Sequence, residues 1–363
     1  MIAVTLGTRP EIIKLAPLIR ELEESDLDYS IVHTNQHYSQ NMDSVFFSEL
    51  SLRKPDYNLS VGSGTHGVQT GKMLELLERV YDKIGAESVI TLGDTNTTIA
   101  ASLTAAKSHI TLVHAEAGFR SFDRRMPEEI NRIVSDHISD LLFSPCSLAS
   151  DNLIREGIDP LIIYDTGNTI LDSVIQNLPI ARQKSSVLAL LGVNSYCLIT
   201  THRAENTDDK EKLTAILSSI PQIIKEHDCD VIFPMHPRTK KMIREFNLDH
   251  LLTNQSRLHV IEPQGYFDFL LLEEKALCVI TDSGGVQDEC FALDVPTVII
   301  RDSTEKTDII SNRFCLSSVE PETIVSNVSR AMATGSRSGE YNPYGSGHAG
   351  KKMREILEIE AEK

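Results

Sequence analysis

Short apolar runs alternate with amphipathic stretches along almost the whole chain, and the alternation starts over midway, which leaves few folds open. The first series is IAVTLG (2–7), YSIVHTN (29–35), SVITLGD (88–94), ITLVHAE (110–116), DLLFSP (140–145) and LIIYDTGN (161–168). The second is YCLITTHR (196–203), DVIFPMH (230–236), RLHVIEP (257–263), LCVITDS (277–283), PTVIIR (296–301) and FCLSSV (314–319). Such runs read as strands buried on both faces, and the stretches between them as covering helices. Residues 11–24 carry Ile12, Leu15, Leu18, Ile19 and Leu22 on one stripe, with Pro10 at the start, where a missing N–H costs nothing. The pattern predicts an α/β chain of two doubly wound parallel sheets.

The 363 residues exceed what one core holds, so two domains are expected. The first ends near residue 168, and the polar, proline-containing PIARQKSS (179–186) reads as the interdomain region. GSRSGEYNPYGSGHA (335–349) is a Gly/Ser-rich crossing, and KKMREILEIEAEK (351–363) reads as an amphipathic helix. Lys and Arg number 35 against 52 Asp and Glu, a net charge of −17 that repels nucleic acid and anionic lipid. An anionic substrate therefore needs a local basic pocket. Six cysteines without a CxxC pair read as small buried hydrophobes in a reducing cytosol, not as metal ligands. No apolar run approaches the ~18 residues of a membrane span, and the chain opens on a strand, so it reads as unprocessed and cytoplasmic.

Chemistry-bearing residues gather at strand ends, where open α/β sheets bind ligands. Residues 114–132, HAEAGFRSFDRRMPEEINR, set Glu116 just beyond a central strand and Glu128 at a helix start, in a stretch equally readable as a solvated, ion-paired loop. Asp94 follows another strand and reads either as a helix cap or as a cleft carboxylate. Gly7-Thr8-Arg9-Pro10, with Lys14 one turn on, is a strand-to-helix turn suited to an anion or to solvent. TDSGGVQDE (281–289) ends a strand and enters a helix at Ser283, Gly284 and Gly285; beyond an ordinary N-cap, Glu289 favours a nucleotide, with its ribose in reach. His202-Arg203 and His236 follow strands of the second series and suit phosphate, with a structural histidine as the alternative. GSGTHG (62–67) spells G-x-G-x-x-G, but PDYNLSV before it does not read as a buried parallel strand, so it is rejected as a dinucleotide site.

The motifs GTRPEIIKLAPLI, LGDTNTT, HAEAGFR with PEEINR, TGNTILD, THRAEN, EPQGYFDF and TDSGGVQDE occur in one order and spacing from Gly7 to about Arg301. In this the chain resembles the non-hydrolysing UDP-N-acetylglucosamine 2-epimerases. The resemblance implies a GT-B fold, two Rossmann-like domains facing a cleft, with domains at 1–168 plus 349–363 and at 169–348. It also implies a homodimer, no cofactor, and a UDP-N-acetylhexosamine as substrate. Asp94, Glu116, Glu128 and His202 match the family's catalytic residues. Arg9 and Lys14 match its basic pair near the phosphates, Gln264 and Phe269 the uracil neighbours, Ser283 to Gly285 the phosphate cradle, and Glu289 the ribose ligand. Gln36, Gln69, Arg203 and His236 resemble part of an effector pocket for a second UDP-N-acetylglucosamine. Two departures stand out: Lys306 replaces an arginine that reaches substrate, keeping charge without bidentate geometry, and Val68 replaces an effector-binding arginine.

The implied chemistry explains these residue types. The C2 proton of an N-acetylhexosamine is not next to a carbonyl, so it must first be acidified. Departure of UDP from C1 does this, and carboxylates then remove and return a proton on opposite faces. Elimination gives a 2-acetamidoglucal, and re-addition of UDP gives the manno sugar. Asp123 and Glu129 are left as ion-pair or solvated residues. The competing readings are a hydrolysing epimerase that releases UDP and N-acetylmannosamine, a GT-B glycosyltransferase, and a non-catalytic UDP-sugar sensor.

Overall fold

Both apolar series form all-parallel sheets in the computed structural model, which describes residues 1–36, 46–336 and 342–362. The first sheet contains β1 (Ile2–Leu6), β2 (Tyr29–His33), β3 (Tyr57–Asn58), β4 (Ser88–Leu92), β5 (Thr111–Ala115), β6 (Leu141–Ser144) and β7 (Ile163–Asp165). Its order is β3-β2-β1-β4-β5-β6-β7. The second contains β8 (Tyr196–Thr200), β9 (Asp230–Pro234), β10 (Leu258–Ile261), β11 (Cys278–Thr281), β12 (Thr297–Ile299) and β13 (Phe314–Leu316), in the order β10-β9-β8-β11-β12-β13. The winding direction reverses between β1 and β4 in one sheet and between β8 and β11 in the other. Chain crossings leave a crevice at such reversals, so ligand chemistry is expected there.

The chain divides into two compact units, one of residues 1–175 with 342–363 and one of residues 176–341. This moves the expected boundary. PIARQKSS is not a linker: α6 (Thr169–Lys184) runs through Pro179, so the division falls inside a helix. The start of α6 is held by the first unit, where Ser173 donates to the Ile13 carbonyl at 2.5 Å and Asp172 accepts the Gly350 N–H at 3.0 Å.

In the first unit, α1 (Arg9–Glu23) buries the whole predicted stripe, each side chain contributing about 1.5–3 kcal/mol. The terminal helix α12 (Ala349–Ala361) packs on α1. Gly350 permits the approach, because a Cβ there would lie 2.9 Å from the Pro17 backbone carbon. In the second unit Cys197, Cys229, Cys278 and Cys315 belong to one apolar core with Ile199, Leu217 and Val298; all six cysteines are free and buried. Among the described residues no helix is long and apolar enough to cross a membrane.

Candidate active site

At the β1–β4 reversal the chain makes two tight turns. Gly7 is required by close approach, since a Cβ would sit 2.1 Å from Thr97 Oγ1 and 2.2 Å from Thr34 Oγ1. The turn at Gly7-Thr8 does not offer its backbone to an anion. Gly7 N and Thr8 N donate to Glu11 Oε2 at 2.9 and 2.7 Å, and Thr95 Oγ1 donates to Oε1 at 2.8 Å. The helix supplies its own anion. Burial pushes the Glu11 carboxyl upward against these bonds from Thr95, Thr8 and Gly7. Arg9 lies over the Phe46 ring, 5.0 Å from its centroid.

Lys14, one turn into α1, meets a carboxylate from another strand end. Its Nζ is 2.5 Å from Glu116 Oε1, and both side chains are almost wholly buried. Glu116 sits just past β5 with φ of 63°, a left-handed conformation that costs a non-glycine residue about 1 kcal/mol and tends to persist at functional positions. Asp94 follows β4 but does not cap the next helix, α3 (Asn96–Lys107). Thr95 is the cap, accepting from Thr97 N and Thr98 N. The Asp94 carboxylate is therefore left to pair with Arg132, on α4 (Pro127–His137). Arg132 also donates from Nε to Glu129 at 3.0 Å, while Glu129 accepts Ser121 N and Phe122 N at 3.0 and 2.8 Å. Glu129 is thus structural, as is Asp123, which pairs with the exposed Arg125. Glu128 stands half-buried one position earlier on α4, without a side-chain hydrogen bond among the described residues.

At the β8–β11 reversal, Asp282 is the organising group. Its fully buried carboxylate accepts Thr201 Oγ1 at 2.6 Å and the N–H groups of His202 and Arg203 at 3.1 Å. Asn206 Nδ2 donates to it at 3.1 Å, and His202 Nδ1 lies 3.2 Å away. Burial alone would raise this group, but His202, Thr201 and Asn206 outweigh it and hold the carboxyl at about 2. His202 is therefore fixed through Nδ1, and its ring lies 5.5 Å from that of His236. Beyond Asp282, Ser283 opens α10 (Gly284–Leu293) without a side-chain cap bond. A Cβ on Gly284 would meet Glu305 Oε1 at 3.3 Å and Arg203 at 3.8 Å.

Other expected ligands are already engaged. Lys306 is buried and paired with Asp288, and Arg301 with Glu305 at 3.1 Å. Glu289 is buried beside Glu273, on α9 (Tyr266–Lys275), whose carboxyl burial and the Glu289 charge push far upward. Gln264 donates to the Glu262 carbonyl at 2.6 Å, and Phe269 packs on the core of this unit. Of the effector candidates, Gln69 donates to the carbonyls of Gln36 and Gly62 at 2.9 and 2.8 Å and accepts from Asn96 at 2.7 Å. Gln36 Oε1 accepts from Thr97 at 3.0 Å. These two glutamines join loops. GSGTHG follows the edge strand β3 and runs into the first residues of α2 (His66–Ile84), with the Gly62 carbonyl used by Gln69. Sequence reasoning missed Glu11, Arg132 and Asp282. Each lies within a quoted motif, and T-x-x-E at Thr8 to Glu11 is a capping-box signature.

A family model described as UDP-N-acetylglucosamine 2-epimerase matches residues 20–358. The chain belongs to that epimerase family. A Methanocaldococcus jannaschii UDP-N-acetylglucosamine 2-epimerase is 48% identical over 361 residues, 98% of each chain. A solved structure of the epimerase from that organism, in complex with UDP-GlcNAc and UDP, matches with a TM-score of 0.92 at 47% identity, covering 99% of both chains. Another relative, the UDP-2,3-diacetamido-2,3-dideoxy-D-glucuronate 2-epimerase of Pseudomonas aeruginosa, is 40% identical over 313 residues, 85% of this chain and 86% of its own. The two parallel sheets with flanking helices are the GT-B fold of this epimerase family.

Proposed function

We propose that the chain interconverts UDP-N-acetylglucosamine and UDP-N-acetylmannosamine by eliminating UDP and adding it back. The C1–O bond breaks with both electrons leaving on UDP, and a carboxylate takes the C2 proton, giving a 2-acetamidoglucal. A proton is then returned to the other face of C2 while UDP re-forms the bond to C1. In this reading the residues at the β8–β11 reversal take the UDP, with His202 and the start of α10 meeting its developing charge. Asp94, Glu116 and Glu128 handle the proton, each typically contributing a hundredfold or more.

The observation that carries this reading is the β1–β4 reversal, where Glu116, in a left-handed conformation, pairs with Lys14 and Asp94 pairs with Arg132. A pair of carboxylates fixed in this way, each against its own cation, suits proton transfer on a neutral ring. Turnover in deuterated water should place deuterium at C2 of the product, and retention of the original proton would sink the mechanism. Asp94→Asn and Glu116→Gln should each lose turnover by about a hundredfold while keeping UDP affinity in calorimetry. Free UDP equal to the sugar epimerised would instead identify hydrolysis. Running the exchange on a UDP-diacetamido sugar as well tests the preference suggested by the Pseudomonas relative.

A further inference from the structure

Three segments that carry the proposed catalytic carboxylates meet at one buried side chain that takes no part in the chemistry above. His114, on β5, is fully buried. Its Nε2 lies 2.8 Å from the carbonyl of Gly93, the residue before Asp94. Its Nδ1 lies 2.7 Å from Oδ1 of Asp136, on α4, the helix that carries Glu128 in its first turn. We propose that His114 is a positioning residue that sets Asp94, Glu116 and Glu128 relative to one another; the inference rests on the roles given to those carboxylates under Proposed function.

The two ring nitrogens face a carbonyl and a carboxylate, one on each side of the ring. The other oxygen of Asp136 accepts Arg120 Nη1 at 2.6 Å and Gly118 N at 3.2 Å. Burial raises Asp136, but His114 and Arg120 outweigh it and its carboxyl is held below the usual range. The tie is doubled on the Asp94 side, where Gly93 N donates to the Ala115 carbonyl at 3.1 Å. Ala115 is followed at once by Glu116. The two turns are so close that a Cβ on Gly93, whose φ is 75°, would lie 3.4 Å from Glu116 Oε2. Arg132, four residues before Asp136 on the same helix, closes the loop by pairing with Asp94. Packing alone does not require this arrangement. A buried ion pair is often no more stabilising than apolar side chains of equal volume. What it supplies is direction: two bonds from one rigid ring fix two elements at once.

Two near-isosteric variants separate the bonds. His114→Asn puts an amide N–H at the Nδ1 position, keeping Asp136 and releasing Gly93. His114→Gln puts one at the Nε2 position, keeping Gly93 and releasing Asp136, which still has Arg120 and Gly118. In the C2 exchange assay the Asn variant should lose about 10- to 100-fold in kcat, the range expected from a misplacement of about 1 Å. The Gln variant should lose less than about tenfold, with KM and the calorimetric UDP affinity unchanged in both. The idea is overturned if the Asn variant turns over like the parent, or if both variants lose kcat equally and in proportion to their loss of melting temperature. Asp94→Asn is assayed alongside. If it stays active, the carboxylate assignment has failed, which is a result distinct from failure of the tie.

Discussion

Replacing Asp282 by Asn removes one charge from the centre of the second unit without changing its volume. The carboxylate is fully buried and ringed by Thr201, the backbone of His202 and Arg203, Asn206 and the His202 ring. Its carboxyl titrates at about 2 in the fold, against ~3.9 in an unfolded chain. That gap amounts to about 2.5 kcal/mol at neutral pH. The folded value is the lower one, so the stabilisation is present above ~3.9 and is lost as pH falls toward 2. At pH 3 about half of it should remain.

Urea unfolding of the parent and Asp282→Asn, followed by circular dichroism from pH 7 down to pH 3, measures this directly. The variant should be less stable by about 2.5 kcal/mol at pH 7, equivalent to a melting shift of roughly 5–10 °C. The difference should narrow to about 1.3 kcal/mol at pH 3. A deficit that stays constant over that range would refute the electrostatic account and leave only altered packing. No deficit at pH 7 would mean that the loops after β8 and β11 are held together by something else.

Two other perturbations follow from buried carboxylates. Lys14→Met should destabilise the first unit by about 3 kcal/mol, because it leaves Glu116 buried without its cation, and a second change of Glu116→Gln should restore most of that in a double-mutant cycle of urea midpoints. Glu273 has its folded pKa raised by burial and by Glu289, so it favours the fold at acid pH and that contribution is lost as pH rises through the folded value. Glu273→Gln should flatten the urea midpoint between pH 5 and pH 8, and an unchanged slope would remove Glu273 as its source.

The parallel strands were legible because burial on both faces leaves little room for polar residues, as the five buried positions of β1 illustrate. β3 was not, because its two residues are partly or fully exposed and carry no apolar signal. PIARQKSS reads as an interdomain stretch because a proline reads as a break, whereas Pro179 lies inside a helix whose first turns belong to one unit and whose end belongs to the other. Candidate residues at strand ends were found by position alone, and position does not identify partners. Lys14 and Glu116 are 102 residues apart, so spacing gave no hint that the lysine meets a carboxylate at the strand end. Asp94 escaped its expected capping role because the neighbouring Thr95 hydroxyl reaches Thr97 N and Thr98 N.

These pairings bear on how, in the proposed function, a chain of net charge −17 would handle a diphosphate. Four of its buried cations, Lys14, Arg132, Arg301 and Lys306, each meet a carboxylate of the same chain. Partnered cations add less field at a distance than their number suggests, since each local dipole falls off faster than a charge. A diphosphate at the β8–β11 reversal would therefore depend on the start of α10, which a helix dipole favours by about 0.3–1 kcal/mol per charge, and on side chains carried by the loop of His202 and Arg203, whose backbone N–H groups are taken by Asp282. Asp282 fixes that loop and lies directly before Ser283. In the proposed function, an anion buried behind the start of α10 and satisfied by five donors would order the loop. This accounts for an aspartate at a position that would otherwise repel a phosphate.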